Sequence, residues 1–368
     1  MTDNPNILAL NKLGVSVWLD DLSRGRLING ELAKLTKSAG IVGITTNPAI
    51  FANSLRNDAS YQGALTLLSQ QGATPEEAVE AIMCQDVAAA CDMFAQKFAE
   101  SDAEDGRVSI EVSPLLAHDA ESTIAAGIRL WKTVAKPNAM IKVPATSAGL
   151  EAITALISQG ISVNVTLIFS LERYRAVVNA YLTGLELAQH NSVDLSQVHS
   201  VASFFISRMD SEVDPQLRES TDPLAVSLVG NCAIANARLA YDIHAGLFSS
   251  ERATYLLQRG ANVQRLLWAS TGVKDSAYEK TRYVTELAGA GVVNTMPEGT
   301  LDAVLEFNGL LSDRLTDHIQ EAHDVLDALE RVGFNYSEIV ERLELEGIDK
   351  FLEAHEQLLS SAQHGLYG

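Results

Sequence analysis

Short apolar runs, rich in Val, Ile and aromatic residues, recur along the chain. They fall at 15–20 (VSVWLD), 41–46 (IVGITT), 107–112 (RVSIEV), 139–143 (AMIKV), 161–169 (ISVNVTLIF), 199–205 (HSVASFF), 265–270 (RLLWAS) and 291–295 (GVVNT). Each is short enough for a buried parallel strand. Helical patterns lie between them. Thr74-Pro75-Glu76-Glu77 reads as a capping box with Pro at the first helical position, so the pattern predicts a helix starting there. Within it Cys84, Val87, Cys91, Phe94 and Phe98 share one face, and the two cysteines read as core rather than as a thiol site. Ser170 is expected to cap a second helix, 171–189. A third is expected over 222–247, ending near Gly246. Helical segments at 301–311, 323–332 and 336–359 close the chain.

Strand–helix alternation of this kind means a parallel sheet with crossover helices. Eight strand candidates fit a (β/α)₈ TIM barrel of the α/β class, with extra helices in the long β2–β3 and β6–β7 connections. A doubly wound open sheet is the alternative, and the lack of GxGxxG after the first strand counts against its dinucleotide-binding form. No repeat, low-complexity stretch or Pro/Gly/Ser-rich linker divides the chain. The expectation is a single domain over 1–368, with a helical C-terminal extension over about 297–368.

Composition narrows the function classes. The 368 residues are 47% hydrophobic and 20% charged, as in a folded enzyme, and the formal net charge is −20. That charge argues against nucleic acid and against anionic membrane surfaces. It leaves room for a small anionic substrate held by a local Arg/Lys cluster. No apolar run reaches the length of a membrane span, and the N-terminus has no secretory pattern. Three scattered cysteines suggest reduced thiols and a cytoplasmic protein. No CxxC, HExxH or Cys/His cluster is present, so no metal site is expected.

In a barrel, chemistry sits at the C-terminal ends of the strands. The polar residues there are Asp20, Thr45-Thr46-Asn47, Glu111, Lys142, Asn164 with Thr166, Ser203 with Arg208 beyond, Ser270, and Asn294. Lys142 stands out in AMIKVP, between apolar neighbours and one residue before Pro144. Alone, a strand lysine reads first as an edge residue reaching solvent. Beside Glu111 and Asp20 it reads as an amine nucleophile toward a carbonyl, with two carboxylates to move protons. Those carboxylates could equally be structural ion-pair partners. Asn164 and Thr166, two apart, share a face and could be either barrel packing or site. Arg208 could hold a phosphate bidentately or be a surface charge, and Lys274 is a weaker candidate of the same kind.

Taken together these segments resemble the transaldolase family. GITTNPAIF (43–51) is similar to one family signature, with Asn47 at its active-site Asn. AMIKVPATSAGLEAI (139–153) is similar to the other, with Lys142 at the Schiff-base lysine. SIEVSP (109–114) matches the strand with the catalytic Glu, here Glu111. SVNVTLIFS (162–170) brings Asn164 and Thr166, WLDD (18–21) the strand-one aspartate at Asp20, and VASFFISR (201–208) Ser203 and the phosphate-binding Arg208. The family's Ser-x-Arg after strand seven is only half present: Ser270 carries over, and Lys274 is the candidate for the missing Arg.

The resemblance implies transfer of a dihydroxyacetone unit between sugar phosphates. Sedoheptulose 7-phosphate and glyceraldehyde 3-phosphate become erythrose 4-phosphate and fructose 6-phosphate, in the non-oxidative pentose phosphate pathway. It implies Lys142 as nucleophile, Asp20, Glu111 and Thr166 in proton handling, Thr46, Asn47, Asn164 and Ser203 in substrate binding, and Arg208, Ser270 and Lys274 at the phosphate. It implies no cofactor, since the iminium is the electron sink, and a monomer or homodimer. The alternatives are a fructose 6-phosphate aldolase-like enzyme releasing dihydroxyacetone, or a non-catalytic sugar-phosphate-binding barrel.

Overall fold

A computed structural model describes residues 4–367. All eight apolar runs form strands: β1 Val15–Leu19, β2 Gly43–Ile44, β3 Arg107–Glu111, β4 Ala139–Pro144, β5 Val163–Ile168, β6 Ser200–Phe205, β7 Arg265–Ala269 and β8 Val292–Met296. They are parallel and close in chain order, β8 pairing back to β1, so the fold is the expected (β/α)₈ barrel.

Side chains alternate in and out along each strand. Trp18, Val42, Met140, Val201, Leu267 and Val293 therefore meet inside and fill the barrel. The Trp18 indole fits only because β2 carries Gly43: a Cβ there would lie 2.5 Å from the ring. Two residues further along β1, β4 and β6, the inward positions are Asp20, Lys142 and Ser203, and β3 adds Glu111 beside Lys142. A polar ring thus rests on an apolar floor at the C-terminal mouth.

The capping box at Thr74 is present, with Thr74 and Glu77 exchanging backbone bonds, and its helix runs Pro75–Glu100. Cys84 and Cys91 are buried in the core. Ser170 caps the helix Leu171–His190. The helix expected over 222–247 is two, Pro223–Ser227 and Cys232–Phe248. Gly230 breaks it at φ +75°, a conformation glycine adopts without cost. The preceding helix Ser207–Glu219 supplies the missing acceptors: Asp214 takes the Gly230 N–H at 2.9 Å and Asp210 the Ala233 N–H at 2.8 Å.

After β8 the helices are Glu298–Leu305, Ile319–Arg331 and Tyr336–Tyr367, so the segment expected at 301–311 stops early. The last helix has 32 residues, about 48 Å at 1.5 Å each. It packs on the helices Pro48–Asn57 and Pro75–Glu100 and crosses the C-terminal mouth of the barrel. Among the described residues no helix is long and apolar enough to cross a membrane.

Candidate active site

Lys142 and Glu111 are register partners on neighbouring strands, and Asn164 is the partner of Lys142 on the other side. The lysine amine pairs with Glu111 Oε1 and donates to the Thr46 carbonyl at 2.9 Å. Both charged side chains are 7% exposed, so the edge-strand reading of Lys142 does not hold. Burial raises the Glu111 carboxyl above its ordinary range; Lys142 pulls the other way, and Asp20 adds to the rise. Glu111 Oε2, Thr46 Oγ1 and Thr166 Oγ1 are buried without a hydrogen-bond partner in the protein. Buried polar atoms are usually paired, so three such atoms around one amine mark a site built to bond something else.

Asp20 follows β1 and accepts from Thr45 Oγ1 at 2.7 Å; Thr45 in turn bonds Thr295 Oγ1 at 2.7 Å. Its neighbour Asp21 is taken by Arg26 at 3.0 Å, which leaves Asp20 the free carboxylate of the WLDD pair. Asn164 is fully buried and fixed from both sides: it donates to Ser109 Oγ at 2.9 Å and accepts from Ser203 Oγ at 2.7 Å. Asn47 caps the helix Pro48–Asn57 through its Oδ1, which leaves its amide NH₂ to meet a ligand.

Leu167 stands at φ +60° and Ser270 at φ +54°, both at strand ends facing the mouth. Left-handed backbone costs a non-glycine residue on the order of 1–3 kcal/mol and clusters at functional sites. At Leu167 it coincides with the register irregularity between β5 and β6. Ser270 Oγ lies 3.1 Å from Ser207 Oγ at the start of the helix Ser207–Glu219. Arg208, half-buried in that helix's first turn, makes no hydrogen bond or ion pair among the described residues. It lines a cleft with Phe205, Lys350 and Phe351.

A family model described as Transaldolase/Fructose-6-phosphate aldolase matches residues 17–362. The chain belongs to this family. A transaldolase of Arthrobacter sp. (strain FB24) is 51% identical over 97% of this chain and 96% of its own length. One of Thermobifida fusca is 52% identical over 95% of each, and one of Mycolicibacterium smegmatis 47% over 99% and 98%. Similarity of that order over nearly the whole of both chains supports a transaldolase enzyme.

Most of the residues expected from the family's motifs converge. Asp20, Thr46, Glu111, Lys142, Asn164, Thr166 and Ser203 gather at the mouth, with Asn47, Arg208 and Ser270 on its rim. Lys274 does not join them: it is exposed, on a separate cleft with Arg218, Asp275 and Tyr278. Asn294 also points elsewhere, donating to the Tyr283 carbonyl at 3.2 Å outside the barrel, and Thr295 takes the inward position. Three further residues, Ser109, His355 and Phe351, have no place in the sequence reading, and Thr45, a strand-end residue there, has a role beside Asp20. Ser109 and Thr45 orient Asn164 and Asp20; for Ser109 the signal was there, two positions before Glu111 on one strand. His355 and Phe351 come from the final helix, and nothing in the sequence placed that helix here. His355 Nε2 lies 3.2 Å from Ser113 Oγ, and burial lowers its pKa. Among the described residues no group of three or more His, Cys, Asp or Glu is placed to hold a metal ion.

Proposed function

We propose that the enzyme transfers dihydroxyacetone between sugar phosphates through a Schiff base on Lys142. The observation that carries this is the buried Lys142–Glu111 pair, ringed by unpartnered polar atoms. An ammonium cannot attack a carbonyl. Because burial raises Glu111, passing the lysine proton to that carboxylate costs less than in water and leaves a neutral amine. The amine adds to the ketose C2. Glu111, now the acid, protonates the departing hydroxyl, with Thr166 Oγ1 holding the water between them. Asp20 takes the C4 hydroxyl proton as the C3–C4 bond breaks and the aldose leaves. It returns a proton to the acceptor's oxygen when the new bond forms.

Asn164, held rigid by Ser109 and Ser203, and the free amide of Asn47 are placed to hold the dihydroxyacetone hydroxyls, with Thr46 beside them. Ser203 acts through Asn164, since its hydroxyl is already donated there. Arg208 and Ser270 take the phosphate. The unpaired guanidinium in a first helical turn suits an anion, and Lys274 is left out of this group. Residues 1–368 then work as one domain, with the tail forming part of the site wall.

The test supplies fructose 6-phosphate with erythrose 4-phosphate. Sedoheptulose 7-phosphate and glyceraldehyde 3-phosphate are expected, with little free dihydroxyacetone. Stoichiometric dihydroxyacetone despite saturating acceptor would favour the aldolase reading; tight binding without turnover would favour a binding barrel.

A further inference from the structure

Phe351 covers the lysine, and the chemistry above gives it no task. Its ring centroid lies 5.7 Å from Lys142 Nζ, near enough to face the cation. With Ile348 it roofs a cavity of about 20 Å³ bounded below by Glu111, Lys142 and Thr166, room for about one water.

The roof is held in place. One turn before Phe351, Gly347 runs so close to β5 that a Cβ would lie 3.1 Å from the Phe169 ring. On the N-terminal side Arg342 pairs with Glu212 at 2.8 Å and Glu344 with Arg173 at 3.3 Å. On the other side His355 meets Ser113, and Leu358 and Ala362 are buried. The helix is pinned at both ends of the segment that crosses the mouth.

We propose that Phe351 is a specificity-determining residue: it shields the reactive carbon from water and so favours transfer over release of dihydroxyacetone. This rests on the Schiff-base reading. After the aldose leaves, the nucleophilic enamine carbon is two bonds from Nζ, under the same roof. It has two fates. It takes a proton, giving an iminium that water hydrolyses to free dihydroxyacetone and the lysine amine. Or its electron pair attacks the acceptor aldehyde carbon, whose oxygen takes the proton, and water then hydrolyses that iminium to the product ketose. Both routes end in hydrolysis, so they divide at the first proton transfer to carbon. A phenyl ring has no proton to give, and beyond the one water held between Glu111 and Thr166 it leaves no room for a second to carry a proton in from solvent. An acceptor aldehyde carries a phosphate for Arg208, which shares a cleft with Phe351, and that binding brings it past the ring where water has no such hold.

The test measures dihydroxyacetone released per unit transferred, with fructose 6-phosphate as donor and erythrose 4-phosphate varied, in F351A and F351L. Expected is a ratio raised about tenfold in F351A, the effect of about 1.4 kcal/mol of barrier difference, and raised less in F351L, which keeps most of the apolar volume. Loss of packing alone would slow both fates together and leave the ratio unmoved. An unchanged ratio in folded F351A overturns the proposal; if F351A does not fold, an unchanged ratio in F351L does. Borohydride trapping on the wild type runs beside it. An adduct on Lys142 with an unmoved ratio sinks the role of Phe351 alone, whereas no adduct sinks the Schiff-base reading beneath it.

Discussion

Removing Lys142 from its pair with Glu111 is expected to tilt the pH dependence of stability. Both side chains are 7% exposed, so neither tolerates a bare charge. In K142M the carboxyl, already raised by burial, takes up a proton in the folded state and stays ionised in the unfolded one. From the ordinary value of 4.5, that costs at most about 3.4 kcal/mol at pH 7. The folded state then binds one more proton than the unfolded, so stability falls as pH rises, by about 1.4 kcal/mol per pH unit.

In E111Q the amine keeps only the Thr46 carbonyl, so a charge is left buried without its counter-charge and the variant is destabilised. The double variant E111Q/K142M has neither charge; its profile should run parallel to the wild type, and its stability should exceed that of E111Q. Melting curves from pH 6 to 8 are the assay, at about 2 °C per pH unit for a chain of this length. A K142M profile parallel to that of the wild type would refute the buried-pair account.

Arg208→Ala should raise KM for the sugar phosphate about tenfold or more with kcat little changed, because a phosphate grip remote from bond breaking acts in ground and transition states alike. A large fall in kcat at unchanged KM, read from steady-state kinetics, would show that the grip is used in the transition state. Asp210 is buried, and burial raises it from 3.8 to about 6, with Asp214 adding to the rise. Its contribution is full below 3.8 and lost as pH rises through 6, so between pH 4 and 7 D210N should gain up to about 3 kcal/mol relative to wild type. Chemical denaturation of both across that range checks this, and a constant difference would contradict it.

The barrel was legible because its strands are buried on both faces and so read as short β-branched runs between helical patterns. The Lys142 segment AMIKVP was legible for the same reason, since a lone cation in such a run is conspicuous. Cross-strand facts were not. That Glu111 and Lys142 are register partners depends on how two strands, about 30 residues apart in sequence, align. The left-handed residues Leu167 and Ser270 have no signature, since only glycine or asparagine would announce one. Lys274 is near Ser270 in sequence only, and the loop carries it to another cleft. The sequence marks 336–359 as helical but not that this helix crosses the mouth, so nothing in it points to Phe351 and His355.

Borohydride reduction in the presence of fructose 6-phosphate tests the central claim most directly. After digestion and mass spectrometry, the account predicts a reduced dihydroxyacetone adduct on the peptide containing Lys142 and on no other lysine. Folded protein that forms no adduct, or forms it on a different lysine, would contradict it.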